Sequence, residues 1–171
     1  MRDIACHRTS HSSGPAGRRH TADVLTIRPA GLDDSPALFS LAQQAYGRYV
    51  GRIGRNPAPM DADYEAAVST GLVWVAEQGQ RIVGLLVLEI RDDHVLIENV
   101  AVSPNAQGGG VGSRLLTLAD DQARERGLRE VRLYTHEAMT ENQQYYRRRG
   151  YQETHRSGDS GFERVFFTKN L

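Results

Sequence analysis

The chain is poor in several residue types, and each shortage argues against a class of protein. One cysteine among 171 residues rules out an internal disulfide, so we expect a reducing, cytoplasmic location. The longest apolar run, residues 82–88, is far shorter than the roughly 20 residues that span a bilayer, and no apolar stretch typical of a signal peptide is visible. Since 21 basic residues balance 21 acidic ones, we expect neither nucleic-acid binding nor attachment to a membrane surface.

Glycine, in contrast, is concentrated at one place in the chain. Four glycines fall within five positions, between an apolar strand predicted over residues 94–102 and an amphipathic helix that starts near Val111: Gly108, Gly109, Gly110 and Gly112. Glycine permits sharp turns, and the first turn of a helix leaves N–H groups without partners at its positive end. This arrangement predicts a binding site for an anion, typically a phosphate or diphosphate.

Three alternative roles for the glycines agree less well with the sequence. A Walker loop requires Gly-Lys-Ser/Thr, but the only lysine of the chain is Lys169. A dinucleotide fingerprint requires a third glycine where Ser113 stands. The glycines could also serve only to let the helix pack closely on a sheet. A turn needs just one glycine, however, so four favour a ligand.

Hydrophobic periodicity predicts the element order β-α-α-β-β-β-α-β-α-β-β, with one βαβ unit around the glycine stretch. Strands are predicted over residues 24–28, 72–76, 81–90, 94–102, 131–135, 151–156 and 162–168, and helices over residues 36–49, 61–69, 111–127 and 140–150. Residues 51–60 are predicted to be a loop and residues 157–161 a turn, and Thr140 is predicted to form a capping box with Gln143.

Residues 1–23 are expected to be a disordered extension before a single domain over residues 24–171. Cys6 and its neighbouring histidines match no zinc motif, so no metal is expected.

Two motifs together resemble those of one enzyme family. The pattern Val-x-Pro-x-x-Gln-x-x-Gly-x-Gly over residues 102–112 resembles the acyl-CoA-binding motif of the GNAT acyltransferases, Gln/Arg-x-x-Gly-x-Gly/Ala. Residues 146–151 resemble the family's later Tyr-x-x-x-Gly-aromatic signature, and the resemblance covers residues 24–171. It implies an α/β (α+β) GNAT fold, with a mixed, mostly antiparallel central sheet of about seven strands, about four flanking helices and one central βαβ unit.

The resemblance also implies how the donor binds. The backbone amides of residues 108–113 would hold the CoA diphosphate, Gln107 would cap the turn, and residues 100–102 would pair with the pantetheine arm like an added strand. Many members have an asparagine seven residues before the tyrosine, where Met139 stands here; Asn142, four residues before it, either substitutes or only serves the helix cap. The predicted donor-binding residues are Val100, Ala101, Val102, Gln107, Gly108, Gly109, Gly110, Val111, Gly112, Ser113, Asn142 and Tyr146.

Acyl transfer from a thioester to an amine requires a neutral amine, donors for the oxyanion and a proton for the thiolate. Tyr146 is the predicted proton donor because it occupies the family's tyrosine position, with Tyr145 as its competitor. Glu98 is the predicted base because it interrupts an apolar strand, where simple alternation places it on one face with Val100 and Val102. Alternatively, Glu98 is an edge residue that faces solvent or pairs with arginine. The other candidate bases are His136 and Glu137, or a relay through water.

The acceptor pocket of the family lies between the first two helices, here residues 46–64. Asp61 and Asp63, together with arginines 48, 52 and 55, suggest an amino-acid-like or peptide N-terminal acceptor. The sequence therefore predicts an N-acetyltransferase that moves the acetyl group of acetyl-CoA to a primary amine of a small molecule or peptide, by direct attack in a ternary complex and without a metal. Transfer of another acyl group and a non-catalytic acyl-CoA sensor are the alternatives. The family resemblance is also compatible with a homodimer.

Overall fold

A seven-stranded mixed sheet forms the centre of the protein in the computed structural model, which describes residues 24–159 and 162–171. The expected disordered extension, residues 1–23, lies outside the described residues. The strands are β1 Leu25–Pro29, β2 Val73–Gln78, β3 Arg81–Ile90, β4 Val95–Val102, β5 Glu130–His136, β6 Gln152–Asp159 and β7 Phe162–Asn170. Their spatial order is β1-β2-β3-β4-β5-β7-β6, and each pair of neighbours is antiparallel except β4 and β5. The predicted fold class is confirmed.

Four helices flank this sheet: α1 Ser35–Ile53, α2 Tyr64–Ser69, α3 Val111–Glu125 and α4 Thr140–Arg147. Side chains of α1 and α2 pack on one face, which we call the α1 face, and side chains of α3 and α4 pack on the other, the α3 face. Strand β3 is covered on both, since Leu85 lies in the core of the α1 face and Leu86 in that of the α3 face. Helix α3 connects β4 to the parallel strand β5, so the predicted βαβ unit is also confirmed. None of the described helices is long and apolar enough to cross a membrane.

The bounds of the first two helices differ from those predicted. Helix α1 continues to Ile53 and ends where Gly54 takes a left-handed conformation (φ +81°), so the loop predicted from residue 51 begins three residues later. Helix α2 begins at Tyr64 and not at Asp61, because the Asp63 side chain accepts a hydrogen bond from the N–H of Ala66 and caps the helix there.

Two predictions near the C-terminus are wrong in detail. Thr140 is the first residue of α4 and not its N-cap, so no capping box forms; the Gln143 amide instead donates to the carbonyl of Glu137 at 2.7 Å. Strand β6 extends to Asp159, which makes the turn predicted over residues 157–161 shorter. The first error arises because Gln143 bonds the loop before the helix, and the second because β6 pairs with β7 as far as Asp159.

Strands β4 and β5 pair over only part of their length. Within the described residues, the pairing joins residues 95–97 of β4 to residues 131–133 of β5 and stops there. On its other edge β4 remains paired with β3, but a bulge lies at Glu98, because Val87 pairs with Asn99 while Leu88 pairs with Ile97. Residues 98–102 of β4 and 134–136 of β5 therefore bound a gap in the sheet, which we call the wedge.

Helix α3 lies so close to the sheet that Gly84 has no room for a side chain. A Cβ at this position would lie 2.9 Å from Val111 Cγ1 and 3.0 Å from Leu115 Cδ1. We expect Gly84→Ala to lower the free energy of unfolding by about 1–3 kcal/mol, as overpacking does in a filled core. Gly47→Ala is the matched control; nothing lies within 4 Å of its Cβ position in α1, so it should raise stability by about 0.5–1 kcal/mol. Urea unfolding measures both, and a Gly84→Ala protein as stable as the wild type would contradict the close approach.

Candidate active site

The glycine stretch forms a tight loop that opens directly into α3. After a short 3₁₀ turn over Pro104–Ala106, Gly108 and Gly110 both take left-handed conformations with φ +82°. Gly110 is the N-cap of α3, and no described side chain caps the helix there. The hydrogen bond from the Arg114 N–H to the Gly110 carbonyl, 3.1 Å, is the first of the helix. The preceding N–H groups have no intrahelical acceptor and remain available to an anion: those of Val111, Gly112 and Ser113.

The side chain of Gln107 closes this loop. Its Nε2 donates to the carbonyl oxygen of Val102 at 3.3 Å and so ties the last residue of β4 to the turn. The loop amides and the unpaired edge of β4 are thereby held next to each other. A ligand with an anionic group at one end and an extended amide-containing arm can contact both surfaces at once.

A cavity of about 520 Å³ lies at the wedge. Four of the predicted site residues are among those that line it: Glu98, Val100, Asn142 and Tyr146. A second wall comes from α2 and the loop before it, which contribute mainly small apolar residues such as Ala62, Ala66 and Ala67, and a third comes from residues 133–136 of β5. The glycine loop is outside the described lining of the cavity, so the anion site and the cavity are separate regions that meet along β4.

The bulge changes how Glu98 is placed. Ile97 and Val100 are three residues apart yet both pack in the core of the α3 face, so simple alternation does not hold across residue 98. The prediction that alternation sets Glu98 on one face with Val100 and Val102 is therefore corrected. Glu98 is instead the extra residue of the bulge; it is exposed and lines the cavity. This position lets its carboxylate reach a ligand in the cavity while it stays solvated.

Asn99, which the sequence pattern did not single out, anchors the bulge. It is only 7% exposed, and its Oδ1 accepts a hydrogen bond of 2.7 Å from the Tyr46 hydroxyl of α1. Its Nδ2 donates at 3.0 Å to the Tyr64 hydroxyl of α2, which in turn donates to the Pro59 carbonyl. Burial raises the pKa of Tyr64 to about 12, so this phenol remains a donor at neutral pH. The sequence signal was a second polar residue beside Glu98 in an apolar strand.

Tyr146 lies at the opposite side of the cavity, on α4. It is 7% exposed, and its ring packs edge-on against Tyr145 and Tyr151, with centroids 5.7 and 5.9 Å away. Burial is the main cause that raises the pKa of Tyr146 well above its usual value. The phenol therefore stays protonated at neutral pH and can act as a hydrogen-bond or proton donor within the cavity.

Comparison with known proteins identifies the family. A family model described as "Acetyltransferase (GNAT) family" matches residues 36–151, well over half of the chain. The chain belongs to this family. GNAT acetyltransferases are acyl-CoA-dependent transferases, so the predicted family and enzyme class are confirmed. The comparison with curated proteins finds no match.

Solved structures of GNAT proteins share the fold. The PaiA N-acetyltransferase of Thermoplasma acidophilum, in complex with coenzyme A, is 16% identical with a TM-score of 0.75, over 86% of this chain and 99% of that one. The ribosomal-protein-S18-alanine N-acetyltransferase of Escherichia coli is 19% identical with a TM-score of 0.68, over 86% and 94%. A GNAT acetyltransferase of Elizabethkingia anophelis with acetyl-CoA bound is 20% identical with a TM-score of 0.63, over 86% and 98%.

The structure places the other two candidate bases, His136 and Glu137, differently from Glu98. His136 lines the cavity, but its Nδ1 accepts a hydrogen bond of 3.1 Å from the Ala138 N–H, which assigns the proton of the neutral ring to Nε2. In this tautomer the ring has no free nitrogen lone pair that could accept a proton. Glu137 is outside the described lining of the cavity, with its carboxylate 4.0 Å from Arg156 Nη1.

Asn142 faces the cavity and does not cap α4. Its Oδ1 accepts a hydrogen bond of 3.3 Å from the hydroxyl of the buried Tyr49, and the N-cap position belongs to Met139. The side chain is thus held at the wall of the cavity by α1. Its Nδ2 makes only a weak contact of 3.6 Å, to Met139 Sδ.

The charged residues proposed for the acceptor are only partly brought together. Asp63 lines the cavity, whereas Asp61 lies outside its described lining and accepts a hydrogen bond from Asn56 at 3.0 Å. Arginines 48, 52 and 55 are also outside that lining, and Arg52 pairs with Glu141 on the surface. The arginine that does line the cavity is Arg164 of β7, whose guanidinium lies 4.6 Å from the centre of the Tyr134 ring.

No described residues form a group of three or more His, Cys, Asp or Glu side chains that could hold a metal ion.

Proposed function

We propose that this GNAT protein is an N-acetyltransferase, which transfers the acetyl group of acetyl-CoA to a primary amine of a small molecule or peptide by direct attack in a ternary complex. The observation that carries the proposal is the cavity at the wedge, where an exposed carboxylate, Glu98, and a protonated phenol, Tyr146, line one space beside the unpaired edge of β4. This space adjoins an anion site made of free amides.

The donor would occupy both regions. Its diphosphate would accept hydrogen bonds from the amides at the start of α3, and bonds of this charge-assisted kind contribute on the order of 1.5–3 kcal/mol each. Its pantetheine arm would add to β4 along residues 100–102, which lie on the part of the strand that β5 leaves unpaired beyond Ile97. The thioester would then arrive at the cavity, between Glu98 and Tyr146.

The reaction requires a neutral amine, and only about one in 2,500 amines with a pKa of about 10.4 is neutral at pH 7. Glu98 would accept the proton that the amine loses as its nitrogen bonds to the carbonyl carbon, directly or through a water. When the carbon–sulfur bond breaks, Tyr146 would donate its hydroxyl proton to the departing thiolate. The proton on Glu98 would then return through solvent to the Tyr146 phenolate, which restores both groups and leaves the amide and the CoA thiol as products without a metal.

Replacement of the base provides the first test of the mechanism. We expect Glu98→Gln to lower kcat/KM by about 10²–10⁴-fold, the usual range for loss of a general base, with the Kd for CoA unchanged. Glu137→Gln is the control, because the Glu137 carboxylate does not line the cavity among the described residues. The activity of this variant should match that of the wild type. Equal loss in both variants would contradict the assignment of Glu98.

The activity itself is tested with a panel of acceptors. Purified protein is incubated with acetyl-CoA and amino acids, polyamines, aminoglycosides or N-terminal peptides, and the released CoA thiol is measured against a reaction without acceptor. Acceptor-dependent release supports the proposal. Tight CoA binding without turnover on every acceptor would favour the sensor, and faster turnover with propionyl- or succinyl-CoA would assign a different acyl group.

A further inference from the structure

Tyr145, the neighbour of Tyr146, approaches the glycine loop from α4. A Cβ at Gly112 would lie 2.5 Å from the Tyr145 hydroxyl oxygen and 3.5 Å from Val102 Cγ2. The hydroxyl is therefore next to the first turn of α3, where the N–H groups have no intrahelical acceptor. A glycine at position 112 is necessary for this approach, since any side chain there would displace the phenol.

The Tyr145 ring is held in place by Arg149. The guanidinium carbon of Arg149 lies 3.6 Å from the ring centre, a close cation–π stack one helical turn along the chain. Among the described residues, the Tyr145 hydroxyl makes no hydrogen bond, and the buried Nε of Arg149 has no partner either. Burial raises the pKa of Tyr145, which keeps the hydroxyl protonated. An unused phenolic donor and an adjacent guanidinium thus lie against a helix N-terminus with free amides.

We propose that the Tyr145 hydroxyl hydrogen-bonds the CoA diphosphate bound at the start of α3, and that Arg149 positions the ring for this contact. An anion held by the amides of Val111 and Gly112 is within reach of a hydroxyl that touches Gly112. The inference rests on the proposed function and gives the two adjacent tyrosines different roles. Tyr145 recognises the phosphorylated end of the donor, and Tyr146 serves the thioester end.

Tyr145→Phe tests this role, because it removes the hydroxyl and keeps the ring. We expect the Kd for CoA, measured by calorimetry, to rise about tenfold or more, as for loss of a hydrogen bond to a charged group. The Kd for pantetheine, which lacks the diphosphate, should stay unchanged in an NMR titration. Tyr151→Phe is the matched control; its hydroxyl is buried without a hydrogen-bond partner among the described residues, so both constants should equal those of the wild type.

A double-mutant cycle tests the role of Arg149. If Arg149 acts by positioning the ring, then Arg149→Gln should weaken CoA binding, and the Tyr145→Phe/Arg149→Gln protein should bind little worse than the weaker single variant. Additive losses would overturn this positioning role. An unchanged CoA Kd in Tyr145→Phe, or an equal loss for CoA and pantetheine, would overturn the diphosphate contact. Failure of the wild type to bind CoA would overturn the proposed function as well, so the two failures are distinguishable.

Discussion

Gly110→Asp is expected to abolish CoA binding and to leave the protein folded. Gly110 has φ +82° and is the N-cap of α3, with nothing within 4 Å of its Cβ position. Aspartate tolerates this left-handed conformation better than most residues, at a cost of about 1–2 kcal/mol, and its carboxylate is a favourable helix N-cap. The same carboxylate would hydrogen-bond the amides that the diphosphate needs and would repel the diphosphate.

Two variants separate charge from backbone strain in this experiment. Gly110→Ala has a similar strain without the carboxylate, so it should retain CoA binding with a reduced affinity. Gly127→Asp places the same residue in a left-handed position (φ +71°) beyond the other end of α3 and should bind CoA like the wild type. Calorimetry gives the Kd, and a cooperative melting transition measured without CoA checks that each variant is folded. Wild-type affinity in Gly110→Asp would show that the diphosphate does not bind at this loop.

The parts of the structure that the sequence predicted well are encoded by short-range patterns. The strand before the glycines, the amphipathic period of α3 and the glycine cluster itself are all local patterns, so the βαβ unit and the loop around Gly110 follow from a single stretch, residues 94–135. The start of α2 depends on which of two nearby aspartates caps it. The geometry selects Asp63, whereas the pattern alone does not distinguish it from Asp61.

The parts that it missed depend on contacts between distant elements. The bulge at Glu98 lets β4 pair with β3 while Asn99 hydrogen-bonds the hydroxyls of Tyr46 in α1 and Tyr64 in α2. These partners are far from Glu98 in the sequence, so the residues around Glu98 do not indicate them. Arg164 lines the cavity because β7 inserts between β5 and β6 in the sheet. The extension of α1 to Ile53 similarly places Arg52 beside Glu141, away from the cavity.

Tyr146→Phe is expected to lower kcat by about 10²–10⁴-fold and to change the Kd for CoA much less, because the hydroxyl acts mainly on the thiolate that forms during the reaction. The ring and its edge-on contacts with Tyr145 and Tyr151 remain in this variant. Tyr151→Phe is again the matched control, since it removes a buried hydroxyl from a neighbouring ring and should keep wild-type kcat. Stopped-flow or steady-state release of CoA measures both variants.

The pH dependence gives this prediction a second readout. Burial raises the pKa of Tyr146 above that of a free phenol, about 10, so the proton-donating form persists and Tyr146 causes no loss of activity as the pH rises to that value. The wild-type rate should therefore increase with pH as the acceptor amine loses its proton, without a falling limb below about pH 10. Tyr146→Phe should keep the rising limb at a uniformly lower rate. A falling limb near neutral pH in the wild type that disappears in Tyr146→Phe would instead mean that Tyr146 has a lowered pKa in the donor complex and is not a buried acid that stays protonated.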